Sequence, residues 1–295
     1  MTDLLNLFDD LDAHFEPTSR DEIVRSPFNY PGGKSKSIDE ILPLLPYTNR
    51  YVEPFGGSGA VLLARKPSKG LEVLNDRYMG VVAFYRCIKD EEKMIRLCDL
   101  INNSIHAREE WVWCKQTWEN VDDDVERAAR WYYMLRYSFG GLCRNFGRST
   151  SPKGRIAGKI RNNVPDFPAI HERLKHVQIE NQDWRQCLND YDHPDTVFYI
   201  DPPYIDTDGG IYKNKMSHDD HKDLLDQIFS CRGFVALSGY PNPFYNNRDW
   251  DHYHEWDAFV SMKSMAHTES NKKGHLKGIE ERGYAKEALW IKEAS

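Results

Sequence analysis

The sequence predicts an α/β fold, a doubly wound, seven-stranded and mostly parallel sheet interrupted by an inserted helical domain. Three observations predict it. Seven short apolar runs, each suited to a buried strand, fall at residues 51–52, 71–74, 177–179, 197–200, 234–237, 258–262 and 288–291. Stretches of helical periodicity lie between most of them, and strand–helix alternation is the pattern of a parallel sheet covered on both faces. The alternation breaks between about Val82 and Val164, where helical patterns follow one another without an apolar strand run.

Taken in order, residues 37–45 read as a helix. The strand at Tyr51-Val52 enters the turn Glu53-Pro54-Phe55-Gly56-Gly57-Ser58-Gly59, and a helix starts at Ala60. The strand at 71–74 ends in Asn75-Asp76. Helical stretches follow at 82–102, 107–119 and 125–138, then a Gly-, Arg- and Lys-rich loop or hairpin. Strands at 177–179 and 197–200 return the chain to the sheet, 218–229 is helical, and three more strand runs complete it. The expected division is an acidic N-terminal arm (1–25), an α/β domain built from 26–85 and 165–295, and an insert (86–164). In the arm Leu4, Leu7, Phe8, Leu11 and Phe15 recur at helical spacing, the mark of a short helix packing on the body or on a partner.

With 295 residues, 40% of them hydrophobic and 13% aromatic, the chain can build a sizeable core. No apolar run approaches the ~18 residues of a membrane span, so none is expected. The N-terminus lacks the basic start and apolar centre of a signal peptide. Six cysteines are scattered without CxxC or Cys/His spacing, so neither a zinc site nor a disulfide framework is expected, and a reducing, cytoplasmic location is. His218 and His221 beside Asp219 and Asp220, and the alternating His252 and His254, read as ordinary surface residues; no metal is expected.

Net charge is −7, but it is unevenly spread. Residues 127–165 contain no acidic residue and nine basic ones: Arg127, Arg130, Arg136, Arg144, Arg148, Lys153, Arg155, Lys159 and Arg161. A basic island on an acidic chain is the footprint of a localised phosphate-binding surface, with a merely solvated face as the other reading. Lys263, Lys272, Lys273 and Lys277, between the last two strands, are either a second such loop or a solvated one.

Two motifs carry chemistry. Asp201-Pro202-Pro203-Tyr204 follows an apolar run, which puts Asp201 at the carboxyl end of a central strand, where open α/β sheets bind ligands. The nitrogen of an aromatic amine is a poor nucleophile because its lone pair is delocalised into the ring. A carboxylate and the carbonyl of Pro202, its direction set by rigid prolines, would accept its two N–H groups and aim the lone pair. Tyr204 would stack on the ring. A plain turn after a strand stays open as the alternative. In the second motif, Glu53 to Gly59, glycines let a ligand approach the backbone, and Asp76 after the next strand is placed to hold ribose hydroxyls. Pro31-Gly32-Gly33-Lys34-Ser35 mimics part of a phosphate loop, but Phe28 stands where its first glycine belongs, so ATP is not expected.

The ordered set Asn29-Tyr30-Pro31-Gly32-Gly33-Lys34, Glu53-Pro54-Phe55-Gly56-Gly57-Ser58-Gly59, Asn75-Asp76 and Asp201 to Tyr204 resembles the Dam-type (D12 class, alpha-group) N6-adenine DNA methyltransferases. The likeness extends to Arg136 to Arg144 (RYSFGGLCR), to Asp183-Trp184 and to Glu287 to Ile291, and so touches most of the chain from Phe28 onward. It implies a class I methyltransferase fold, S-adenosylmethionine as cofactor and double-stranded DNA as partner. It implies that Tyr30, Gly33, Lys34, Glu53 to Gly59, Asp76, Asp183, Trp184 and Asp201 bind the cofactor, Asp76 at the ribose and Asp183 at the adenine edge. Asp201, Pro202, Pro203 and Tyr204 would hold the target base, and Arg136, Arg144, Asn145, Arg148, Lys153, Arg155, Lys159 and Arg161 would face DNA. The chain departs from the GATC-reading members after Arg144, where 145–161 is Gly- and Ser-rich, so the target sequence stays open.

The reaction expected is direct methyl transfer to a flipped-out adenine, without a metal or a covalent enzyme intermediate. Its rivals are transfer to RNA or a cytosine amine, a catalytically silent DNA-binding subunit, and a nucleotide-binding dehydrogenase, which would leave the DPPY motif and the basic insert without a use.

Overall fold

The computed structural model describes residues 23–149, 156–205, 216–259 and 284–295. Among these, seven strands form one sheet: β1 (Arg50–Glu53), β2 (Leu71–Asn75), β3 (Val177–Glu180), β4 (Thr196–Ile200), β5 (Phe234–Gly239), β6 (His252–Phe259) and β7 (Tyr284–Lys292). Their order is β3-β2-β1-β4-β5-β7-β6. β1 to β5 pair in parallel, and β7 runs antiparallel between β5 and β6. The winding reverses between β1 and β4, so the carboxyl ends of these neighbours flank the crevice where such sheets bind ligands.

Strand residues alternate between two cores, as the two-residue period of a pleated strand requires. Tyr51, Val197, Tyr199, Phe234, Ala236, Leu289 and Ile291 enter one; Val52, Phe198, Ile200, Val235, Leu237, Ala288 and Trp290 enter the other. The helices are α1 (Ile38–Ile41), α2 (Ala60–Ala64), α3 (Met79–Lys89), α4 (Glu91–Asn102), α5 (Arg108–Thr117), α6 (Asp124–Arg136), α7 (Phe167–Leu174), α8 (Trp184–Tyr191), α9 (His218–Ser230) and α10 (Pro243–Asn246). The first core runs without interruption from the sheet into the insert, where Trp111, Trp131, Tyr132 and Tyr137 belong to the same cluster as Tyr51 and Leu74. Phe28 keys the N-terminal segment into it, its ring 5.3 Å from Phe84 and 5.2 Å from Trp131, both edge-on.

Two expectations change. The stretch 82–102 is two helices, broken at Asp90, which takes an extended conformation and caps α4 by accepting the Lys93 N–H at 3.0 Å. An aspartate satisfies a free helix N–H better from the cap than from the helix interior. The strand expected at 258–262 starts at His252 and pairs with β7 along its length. Its polar sequence hid it because β6 is an edge strand: Trp256 points into the core while Tyr253, Glu255 and Asp257 face solvent. Residues 260–262 lie outside the described residues, as does the helical pattern of 1–22. The expected loop or hairpin after α6 is a hairpin closed by a Ser138–Phe146 bridge, and Ile156–Asp166 forms a 3₁₀ run.

Candidate active site

Asp201 follows β4 at the reversal of the sheet. Lys34 reaches it across 167 residues of sequence, with Nζ 2.7 Å from Oδ1 and 2.8 Å from Oδ2, and donates a third bond to the Gly32 carbonyl at 2.7 Å. Lys34 is buried. Burial alone would lower its pKa, but the charges of Asp201 and then Glu287 overcome that and hold it well above the lysine range. Burial raises the Asp201 carboxyl, and the Lys34 ammonium opposes the rise. Glu287 on β7 is the nearby second carboxyl; Ser37 donates to its Oε2 at 3.4 Å, and Trp256 Nε1 donates to Ser37 Oγ at 3.2 Å.

The turn after β1 is held at several points. The Gly56 N–H bonds the Asn75 carbonyl at 2.7 Å, and a Cβ at Gly56 would fall 2.5 Å from Leu74 Cδ1, so a side chain there would push the turn off β2. Gly59 starts α2 at φ +60, a left-handed conformation that favours glycine. Asn75 is fully buried and joins three strand ends: it donates to the Pro54 carbonyl at 2.8 Å and accepts the Gln182 N–H at 2.8 Å. Asp76 accepts the N–H groups of Gly57 at 2.8 Å and Tyr78 at 2.7 Å; burial still pushes its carboxyl up to about 6. Glu53 accepts the Tyr51 hydroxyl at 2.8 Å, and burial pushes it up to about 8. Asp183 caps α8 through the Arg185 N–H at 3.0 Å and pairs with Arg77 at 3.1 Å. Trp184 stacks on Phe55 with ring centres 6.2 Å apart.

Most of these groups border a cavity that is open to solvent at its mouth. Tyr30, Gly33, Lys34, Glu53, Pro54, Phe55, Gly56, Gly57, Ser58, Asp76, Trp184, Asp201 and Pro203 form its wall. Gly59 and Asp183 stand behind the wall as the caps of α2 and α8, and Pro202 and Tyr204 also lie outside it. Tyr204 is buried, with Tyr240 edge-on at 4.6 Å and Lys34 Nζ 5.0 Å from the ring centre. Sequence reasoning missed Tyr199, Asp220 and the hairpin residues Leu142 and Cys143, which also border the cavity. Leu142 and Cys143 lie within the Arg136 to Arg144 motif, which was assigned to DNA rather than to the cavity, and Tyr199 on β4 and Asp220 on α9 reach the cavity through the packing of their elements, which no local pattern marks. His221 corrects an expectation: it is fully buried, not a surface residue, and its Nδ1 lies 2.7 Å from the Tyr245 hydroxyl. It lies on the apolar face of α9 with Leu224, Leu225 and Ile228.

The basic island divides. Arg127 donates to the Val121 carbonyl, Arg130 pairs with Glu126, and the buried Arg136 donates to the Lys159 carbonyl at 2.8 Å. Arg161 bonds the carbonyls of Asn102 and Ser104 yet stays exposed. Arg144, Asn145, Arg148 and Lys159 are exposed. Lys153, Arg155, Lys263, Lys272, Lys273 and Lys277 lie outside the described residues.

A seven-stranded sheet with an antiparallel β7, and a glycine-turn cavity at its parallel strand ends, define a class I methyltransferase fold. The chain belongs to the D12 class N6 adenine-specific DNA methyltransferases, whose family model matches residues 30–262. It is 29% identical over 246 residues to the type II methyltransferase M1.LlaDCHI of Lactococcus lactis subsp. cremoris, covering 76% of this chain and 84% of that protein. It is 31% identical over 241 residues to the DNA N-6-adenine-methyltransferase of Escherichia phage P1, covering 75% of this chain but 31% of the phage protein. Against the DNA adenine methylase of Escherichia coli (strain K12) it is 26% identical over 186 residues, 61% of this chain and 65% of that one. Among the described residues, no helix is long and apolar enough to cross a membrane, and no group of three or more His, Cys, Asp or Glu is placed to hold a metal ion.

Proposed function

We propose that this chain transfers a methyl group from S-adenosylmethionine to the N6 amine of an adenine turned out of double-stranded DNA, in the cytoplasm of a bacterial or phage-infected cell. The observation that carries the reading is Asp201, held by Lys34 at the carboxyl end of β4 and facing a glycine-lined cavity. The donor set fits S-adenosylmethionine. Asp183 after β3, Asp76 after β2, the Glu53–Gly59 turn after β1 and Asp201 after β4 follow one another along the sheet edge, in the order β3-β2-β1-β4. Asp76 would take the ribose hydroxyls, because each of its oxygens keeps a lone pair beyond the one N–H it accepts. Asp183 would take the adenine edge, Phe55 and Trp184 would give apolar contact, and Tyr30, Gly33 and Lys34 would close the end nearest Asp201.

When bound, the cofactor supplies an electrophilic methyl group on a sulfonium, already a good leaving group. The chain's part is positioning and electrostatic alignment. Asp201 and the Pro202 carbonyl accept the two amine N–H groups and turn the nitrogen lone pair toward the cavity. Pro203 fixes the direction of that carbonyl, and Tyr204 gives the base an aromatic face. Arg144, Asn145, Arg148, Lys159 and Arg161 face DNA, with Lys153 and Arg155 in the same stretch. Arg136 acts from behind by holding the Lys159 backbone. The test supplies purified protein and methyl-labelled donor with unmodified duplex DNA, single-stranded DNA or RNA, and then locates the label. Label on N6 of adenine in duplex DNA is expected. Label on cytosine or only in RNA overturns the reading.

A further inference from the structure

The glycine turn after β1 must hold one shape with little steric help. Gly57 and Gly59, on either side of Ser58, take left-handed conformations at φ +49 and +60. Glycine leaves the backbone free to adopt others, so hydrogen bonds have to fix the turn. Two come from the end of β2, where the Asn75 carbonyl takes the Gly56 N–H and Asp76 takes the Gly57 N–H. The Ser58–Gly59 peptide is held separately at its two ends. Its N–H bonds the Gly56 carbonyl at 2.7 Å, inside the turn. Its carbonyl accepts a bond from Tyr85 Oη at 2.5 Å, and Tyr85 lies on α3, 27 residues further along the chain.

Tyr85 is itself held firmly. It is fully buried, with the Phe28 ring centre at 6.0 Å and that of Phe84 at 5.6 Å. Burial raises its phenol well above the usual range, so the hydroxyl stays protonated and donates. The fit to the turn is close, since a Cβ at Gly59 would fall 3.0 Å from Oη. The helix behind it is seated too: a Cβ at Gly80 on α3 would fall 2.2 Å from the Trp131 indole on α6. The packing of the insert thus reaches the turn through the Tyr85 hydroxyl. We propose that Tyr85 is a positioning residue for cofactor binding: its hydroxyl presets the Ser58–Gly59 peptide, and with it the stretch of cavity wall formed by Gly57 and Ser58. Tyr85 stands outside that wall and acts only through the turn. This rests on the function proposed above, which puts S-adenosylmethionine against the wall. Without the hydroxyl, the buried Ser58 carbonyl loses its partner and the turn relaxes to other shapes. Ordering it again on binding then weakens the hold on the cofactor.

Tyr85→Phe keeps the ring and removes the bond. Tyr133→Phe is the matched control, because Tyr133 on α6 also donates to a backbone carbonyl at 2.5 Å, that of Ile105, away from the cavity wall. Calorimetric titration with S-adenosylmethionine is expected to show about tenfold weaker binding in Tyr85→Phe and a change under about twofold in Tyr133→Phe. In steady-state methyl transfer, the KM for the cofactor rises about tenfold in Tyr85→Phe while kcat stays within about twofold of wild type. A second readout needs no cofactor: amide hydrogen exchange of the free protein. Amides of residues 56–63 exchange about tenfold faster in Tyr85→Phe, and those of β4 and β5 at the wild-type rate. A Tyr85→Phe protein with wild-type cofactor affinity overturns the proposal. Equal weakening in the two variants, or faster exchange across the whole sheet, also overturns it, since either marks general loosening of the fold. A wild-type protein that binds no S-adenosylmethionine defeats the functional reading instead, and the exchange comparison still decides whether Tyr85 fixes the turn.

Discussion

The Nζ of Lys34 lies 2.7 and 2.8 Å from the two carboxylate oxygens of Asp201, and the ammonium is the more deeply buried of the two groups. Removing either partner leaves a charge without its balance, so this pair ties the chemistry of the site to the stability of the fold.

Asp201→Asn is therefore expected to do two things. Methyl transfer falls below a tenth of wild type, about 1.4 kcal/mol or more in barrier. Stability falls by about 3–5 kcal/mol, because Lys34 stays buried and unbalanced. Adding Lys34→Met should restore most of the stability and none of the activity. Urea unfolding of the four proteins completes the cycle; additive losses would show that the pair is not coupled.

Glu53 predicts a pH dependence. Its carboxyl is raised by burial from 4.5 to about 8, so the folded protein keeps a proton that the unfolded chain has already lost. Stability from this group is full below about 4.5 and falls as pH rises toward about 8. In Glu53→Gln that fall is absent, so the stability difference in favour of Gln should widen across the window. Asp76, raised to about 6, acts in the same direction in both proteins and cancels in the comparison. Denaturant midpoints at several pH values check it, and a gap that does not change with pH counts against a buried, protonated Glu53.

Tyr204 separates ring from hydroxyl. Tyr204→Phe should keep most of the turnover, while Tyr204→Ala should lose about 1–3 kcal/mol of base stacking. Because Tyr240 packs edge-on against this ring at 4.6 Å, the Ala variant also leaves a gap beside Lys34. Single-turnover rates decide it: equal losses in Phe and Ala would assign the work to the hydroxyl.

Arg136 and Arg144, eight residues apart in sequence, should behave in opposite ways. Arg136→Ala removes a buried guanidinium that supports the Lys159 carbonyl, so melting temperature and DNA affinity fall together. Arg144→Ala should leave the melting temperature unchanged and weaken DNA binding. A loss uniform across sequences with a salt slope lower by about one marks a phosphate contact. A loss of roughly 1–3 kcal/mol on the cognate site alone marks a base contact. No change in binding or methylation would remove the hairpin from the DNA interface.

Much of this protein was legible in the sequence because the signals are local. The two-residue period that divides Tyr51 from Val52 and Val197 from Phe198 between two cores is written in adjacent residues. So are the glycine turn that must pass under Leu74 and the proline pair that follows Asp201. Tertiary structure alone decided the rest. The pairing of Lys34 with Asp201 spans 167 residues, and that of Ser37 with Glu287 spans 250, so no window of sequence contains either pair. The basic island is continuous in sequence, but packing sends Arg136 inward and leaves Arg144 outside, because a guanidinium goes where the nearest unmet carbonyls are. His221 was misread for the same reason: its polar neighbours on α9 describe the helix, while its environment is set by Tyr245, which arrives from a different element. Local patterns determine which elements form; the charges and hydrogen bonds of a buried site depend on which elements meet.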